Sequence, residues 1–291
     1  MKQEFDQSHF DSLYPNVKFS RRGFLASSLA AGFAISAGPV MAQQAIKTSA
    51  EGIEVAEVKI PVPGGQMPAY VAAPKKAGKA PVVIVVPEIW GLHEYQRDMC
   101  RRLAKAGYYA ISADCYFRSG ELWKLTDIKQ VLAAANSLTD TQMLADLDAL
   151  VAWVEPQKKA NTKKLGITGM CRGGRTVWMY TAHSKKVKAG VAWYGPFGAN
   201  PPAMAQTPID VADQLHAPVF GLYGSEDPGI PLDSVERMRA AIRAFEKPSV
   251  IHVYQGMPHG FHADYRPSYR KEAAEDGWKR MLAWFKKNGV A

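Results

Sequence analysis

The chain has 291 residues, 47% of them hydrophobic and 22% charged, a balance that supports one large buried core and excludes a wholly disordered chain. Lysine and arginine outnumber aspartate and glutamate by 36 to 27, a formal charge of +9. The basic residues are scattered, with no long run and no nucleic-acid motif, so the charge describes a solvated basic surface suited to anionic small molecules.

The chain opens with a targeting pattern. "SRRGFLASSLAAGFAISAGPVMAQ" (20–43) sets Arg21 and Arg22 before a run of small apolar residues from Phe24 to Ala37, then a small-x-small site at Val40-Met41-Ala42. The run is short and broken by Ser and Gly, which suits it poorly to span a bilayer. It resembles a twin-arginine export signal over residues 1–42, with an uncleaved anchor as the competing reading. Export implies the twin-arginine machinery as a partner and a periplasmic or secreted destination. Residues 43–52 then form a polar linker, and 53–291 a single domain. The positive excess belongs to that domain, because the first 42 residues set Lys2, Lys18, Arg21 and Arg22 against Glu4, Asp6 and Asp11.

Two strand-like runs, 53–60 and 67–74, flank "PVPGGQ" and predict a hairpin. "PVVIVVP" (81–87) is continuous and β-branched, as a strand buried on both faces requires. Alternation follows: a helix over 94–107 ending at Gly107, a strand over 108–117, and a helix over 139–155. Next come a strand over 163–170, a helix over 173–183, a strand over 187–195 and a Pro-rich loop over 196–208. A strand over 218–225, a helix over 232–246, a strand over 249–256 and a helix over 271–288 complete the chain. This order predicts an α/β fold: a mostly parallel, doubly wound sheet of about eight strands with an antiparallel N-terminal hairpin.

In such a sheet, ligands collect at the carboxyl ends of the strands. Gly169-Met170-Cys171-Arg172-Gly173 links a strand to a helix and has the nucleophile-elbow pattern with Cys as the nucleophile. The helix N-terminus favours a thiolate there, and the Arg172 N–H is placed to meet an oxyanion. Asp227 follows the 218–225 strand, with Glu226 and Asp233 as nearby competitors. His259 follows the 249–256 strand, with His262 as competitor, while His252 alternates with apolar residues inside the strand and reads as structural. Cys171, Asp227 and His259 occur in the chain order of α/β-hydrolase triads. Glu88 follows the 81–87 strand, and a carboxylate beside a thiol would hold it protonated. Ile89 in the same loop would supply a second oxyanion N–H.

Five stretches carry a resemblance: Pro87 to Gly91, Asp114 to Arg118, Gly169 to Gly173, Gly224 to Asp227 and His259 to Phe261. Together they resemble the dienelactone hydrolase (carboxymethylenebutenolidase) family over about residues 53–288. The resemblance implies a Cys171–His259–Asp227 triad that opens a cyclic enol ester, and a Glu88 that restrains the resting thiol until substrate displaces it. It also implies substrate binding by Trp90 and by Arg118, the latter matching an arginine that holds the substrate carboxylate. A second such arginine follows the family's catalytic His by four residues. Here that position is Ala263, and Arg266 is the candidate substitute. No cofactor and no metal site is expected. The competing function is an exported binding module on a hydrolase scaffold. Cys100, Cys115 and Cys171 are an odd number, so at least one thiol stays free, and the sequence allows a Cys100–Cys115 bridge.

Overall fold

Pro63 and Gly64 turn the chain between β1 (Ile53–Val62) and β2 (Gly65–Pro74), which pair antiparallel along their whole length. Gly64 sits at φ +89°, a conformation that a side chain rarely adopts. The computed structural model describes residues 45–76, 78–198 and 204–291. The export-signal reading of 1–42 therefore lies outside the described residues, as do the start of the linker and 199–203 of the Pro-rich loop.

The remaining strands are β3 (Ala80–Val86), β4 (Tyr109–Ala113), β5 (Ala160–Met170), β6 (Val187–Trp193), β7 (Val219–Gly224) and β8 (Val250–Tyr254). They form one eight-stranded sheet in the order β1-β2-β4-β3-β5-β6-β7-β8. β2 pairs antiparallel with β4, and every later pair is parallel. β4 and β7 are buried at every position, so both faces of the sheet are covered. The covering helices are α1 (Glu94–Lys105), α2 (Ile128–Ser137), α3 (Asp140–Val154), α4 (Arg172–His183), α5 (Leu232–Ala244) and α6 (Lys271–Lys287). α1 packs on β2 and β4, α4 on β5 and β6, and α6 on β6 and β7. Gly277 lets α6 approach closely: a Cβ there would stand 2.6 Å from the buried Trp193 ring.

The predicted α/β architecture stands, with element bounds that differ locally, most at two places. Helix α2 is absent from the sequence reading, although Asp127 caps it by accepting from the Lys129 N–H at 2.9 Å. β4 ends at Ala113, four residues before the predicted end, because Asp114 Oδ1 accepts the Tyr116 N–H at 3.1 Å and turns the chain. From β3 the chain moves first to β4 on one side and then to β5 on the other. That reversal opens a crevice at the carboxyl ends of β3 and β5, where Glu88 and Cys171 lie.

Candidate active site

Cys171 caps α4 at φ 54°, ψ −120°, one of three non-glycine residues at positive φ among the described residues. Such a conformation costs on the order of 1–3 kcal/mol. Two backbone bonds offset it, Cys171 N–H to Trp193 O and Arg175 N–H to Cys171 O, both at 3.0 Å and each worth about 1 kcal/mol. The flanking glycines are required by space. A Cβ on Gly169 would stand 2.4 Å from Gly173 O, and one on Gly173 would stand 2.2 Å from Val86 O. The turn is thus wedged between β3 and its own helix, and it holds Cys171 fully buried at the strand end.

The loops after β7 and β8 are stapled together. Ser225 N–H donates to Tyr254 O and Glu226 N–H to Met257 O, both at 3.0 Å. Gly224 makes that approach feasible, since a Cβ there would stand 2.1 Å from Met257 O. The staple brings His259 Nδ1 to Asp227 Oδ2 at 2.6 Å, both side chains buried. Asp227 Oδ1 accepts the Gly229 N–H at 3.0 Å, which fixes the carboxylate. Glu226 and Asp233 are exposed and take no part. Burial alone would lower the His259 pKa, but the charges of Asp227 and Cys171 outweigh it and lift it from 6.5 to about 10. His259 Nε2 has no hydrogen-bond partner among the described residues. Cys171 is close enough to act on the ring, and catalytic contacts of this kind commonly tighten once substrate closes a site.

The competing histidines are placed elsewhere. His262 Nδ1 meets the Tyr95 hydroxyl at 2.5 Å and its ring lies 4.3 Å from that of Trp193. Burial, then Arg102, holds it down at about 3, so it stays neutral. His252 sits half-buried in β8 against Tyr254.

Glu88 is fully buried. Its Oε1 accepts from the Tyr265 hydroxyl and its Oε2 from Arg266 Nη2, both at 2.5 Å, with His93 Nε2 at 3.6 Å. Burial would raise its pKa, yet Arg266 and then His93 bring it from 4.5 down to about 2. Glu88 is thus a buried carboxylate anion, and no hydrogen bond joins it to Cys171 among the described residues. Arg266 does reach the site, seven residues after His259, while Ala263 is buried and apolar. Gly91 N–H donates to Glu88 O at 3.0 Å, and this turn leaves the Ile89 N–H without a backbone acceptor among the described residues. Trp90 is fully buried beside it.

Arg118 faces another carboxylate. Its Nη1 and Nη2 fork onto Asp146 at 2.7 and 2.9 Å, and Nη2 also donates to Pro63 O at 2.6 Å. A substrate carboxylate would have to displace Asp146. The Arg172 side chain turns instead to α2, donating to Asn136 Oδ1 at 2.8 Å and Ala135 O at 3.0 Å. Four further residues reach the site without having been singled out from sequence. Tyr265 and His93 contact Glu88, and Tyr194, at φ 38°, meets the His259 ring edge-on with centroids 5.0 Å apart. Tyr116 follows β4 and is buried near Cys171. Tyr265 adjoins Arg266, and Tyr194 directly follows a buried strand, which are the signals that would have drawn attention to them. All three cysteines are free and buried. No described helix is long and apolar enough to cross a membrane.

The model of the dienelactone hydrolase family matches residues 67–289. A Methylorubrum extorquens protein named "Putative carboxymethylenebutenolidase" is 49% identical over 282 residues, 96% of this chain and 97% of its own length. An Escherichia coli K12 protein of the same name is 46% identical over 268 residues, 91% of this chain and 98% of its own. The crystal structure of a "Putative Dienelactone Hydrolase" from Klebsiella pneumoniae shares 48% identity and a TM-score of 0.77, covering 80% of this chain and 98% of that one. With these likenesses running over nearly the whole folded length, the chain belongs to the dienelactone hydrolase family.

Proposed function

We propose that this hydrolase opens a lactone or another activated ester through a thioester formed on Cys171. Cys171 Sγ attacks the carbonyl carbon while its proton is held by His259 Nε2. The carbonyl oxygen takes the negative charge and is met by the N–H groups of Arg172 and Ile89. The ring C–O bond then breaks, and the departing oxygen takes the proton from His259. Water gives a proton back to His259 and attacks the thioester, releasing the acid and restoring the thiol. Asp227 keeps His259 in the tautomer with Nδ1–H, so that Nε2 faces the chemistry. The observation that carries this reading is the 2.6 Å His259–Asp227 bond, with His259 Nε2 buried and Cys171, on its positive-φ turn, close enough to act on the ring.

Glu88 fits the reading as a restraint on the thiol. In the described arrangement Arg266 and Tyr265 hold the carboxylate, which leaves Cys171 to His259. Restraint requires Glu88 to leave Arg266 and turn to Cys171 between turnovers. The test is hydrolysis of p-nitrophenyl esters and dienelactone by wild type and by Cys171→Ala. Equal rates in the two would refute the proposal and leave the binding-module reading in its place.

We also infer from the sequence that residues 1–42 direct export by the twin-arginine machinery to the periplasm or beyond. Replacing Arg21 and Arg22 by lysine should leave the protein in the cytoplasmic fraction, unprocessed. Export unchanged in that variant would overturn the inference.

A further inference from the structure

Three arginines are buried among the described residues: Arg172, Arg175 and Arg266. Two have a carboxylate. Arg175 forks onto Asp140 at 2.7 and 2.8 Å, and Arg266 pairs with Glu88 at 2.5 Å. Arg172 has none. Its two hydrogen bonds go to the neutral oxygens of Asn136 and Ala135, and the rest of its five N–H donors have no protein acceptor among the described residues. A buried charge without a counter-charge is costly, and proteins normally pair it. Burial pulls the Arg172 pKa below the ordinary arginine value, and its neighbours do not make up the difference. The positive end of α4 adds to the same positive field.

A second polar group at this place is also unmatched. The Tyr116 hydroxyl is buried and has no hydrogen-bond partner among the described residues. It lies at the carboxyl end of β4, and the charges of both Arg172 and Cys171 act on it. A guanidinium at the start of α4 and a hydroxyl donor after β4, both buried and both close enough for the Cys171 charge to act on them, match an anionic oxygen group that arrives with the substrate. Arg118, the arginine expected to take that group, is already matched by Asp146.

We propose that the Arg172 guanidinium and the Tyr116 hydroxyl form a subsite for a carboxylate carried by the substrate. Arg172 then has two functions on one residue: its backbone N–H serves the oxyanion and its side chain sets specificity. The proposal rests on the reading of Cys171 as nucleophile, and the experiment separates the two. In the first arm, kcat/KM is measured for p-nitrophenyl hydrogen glutarate and for the neutral p-nitrophenyl valerate. Wild type should prefer the anionic ester, and Arg172→Gln should reduce that preference by about tenfold or more, as expected for one charge-assisted contact. Tyr116→Phe should reduce it less, and Arg172→Lys should keep part of it. Tyr116→Phe removes a single oxygen and carries the test if Arg172→Gln does not fold. The second arm needs no turnover: butyrate, but not butyramide, should slow alkylation of Cys171 by iodoacetamide in wild type, and this protection should vanish in Arg172→Gln. A preference and a protection that both survive in the variants would overturn the subsite. If neither ester is hydrolysed, the nucleophile reading fails, and the protection arm alone decides the subsite.

Discussion

Removing Arg266 exposes the electrostatic problem at the centre of the site. Arg266→Met keeps most of the buried volume but leaves Glu88 fully buried and without its cation. The pair holds Glu88 at about 2, where an ordinary carboxyl has 4.5. Each tenfold change in proton affinity is worth about 1.4 kcal/mol, so the pairing contributes about 3 kcal/mol at neutral pH. That agrees with the roughly 3–5 kcal/mol measured when one partner of a buried ion pair is deleted. At about 2–4 °C per kcal/mol for a domain of this size, the melting temperature at pH 7 should fall by about 10 °C. The sign with pH follows from the depressed value: the contribution is complete above pH 4.5 and is lost as pH falls towards about 2. In the variant, burial drives Glu88 upward instead, so the deficit against wild type should be largest near pH 7 and shrink towards pH 4. Adding Glu88→Gln to Arg266→Met should recover part of the loss, because the stranded charge is gone. Melting curves by circular dichroism at several pH values test this. A variant that melts within about 2 °C of wild type at pH 7 would refute the reasoning, since the pair would then be worth less than 1 kcal/mol.

Asp227→Asn should lower kcat/KM for a p-nitrophenyl ester by about 10⁴-fold, the loss typical when the orienting acid of a triad no longer holds its His tautomer. The same variant should remove an alkaline dependence of stability: His259 is raised from 6.5 to about 10, so its contribution is complete below pH 6.5 and disappears as pH rises towards about 10. Gly224→Ala should keep the sheet's circular dichroism but cut kcat by about a hundredfold, because the new Cβ would push the Met257 carbonyl and shift the His259 loop; a wild-type kcat would contradict that geometry. Thiol titration should find at most one reactive cysteine in the native protein and three in urea, because Cys100 and Cys115 are free and burial pushes both thiols up. A count of one in urea would reveal a Cys100–Cys115 bridge instead.

The elements easiest to read from sequence are those whose chemistry is local. β3 announces itself by unbroken β-branched residues, and the Cys171 turn by glycines that only a wedged backbone requires. Helix α2 is equally local, with Asp127 as cap and Ile128, Val131, Leu132 and Ala135 on one face, yet its short stretch between a strand and a long helix looks like a connection. The choice of Asp227 over Glu226 rests on burial, because chain order is the same for both. What sequence could not supply is pairing at a distance. Whether Arg118 is available to a ligand depends on Asp146, in a different element. The partners of Glu88 lie 177 and 178 residues away, and nothing near Glu88 in the chain points to them. Arg172 reads as a variable position inside a motif, and its lack of a carboxylate is visible only once every neighbour is placed.

At Gly169, Gly173 and Gly224 main chain lies directly against main chain. The turns that carry Cys171, Asp227 and His259, the proposed triad, are therefore positioned by backbone contacts that a point substitution elsewhere does not reach. The side chains of Arg172, Tyr116 and Tyr194 form a second layer near those turns. Over evolutionary time the two layers can change at different rates: the preference for one ester or another can drift through single replacements in the outer layer while the reaction itself is inherited intact.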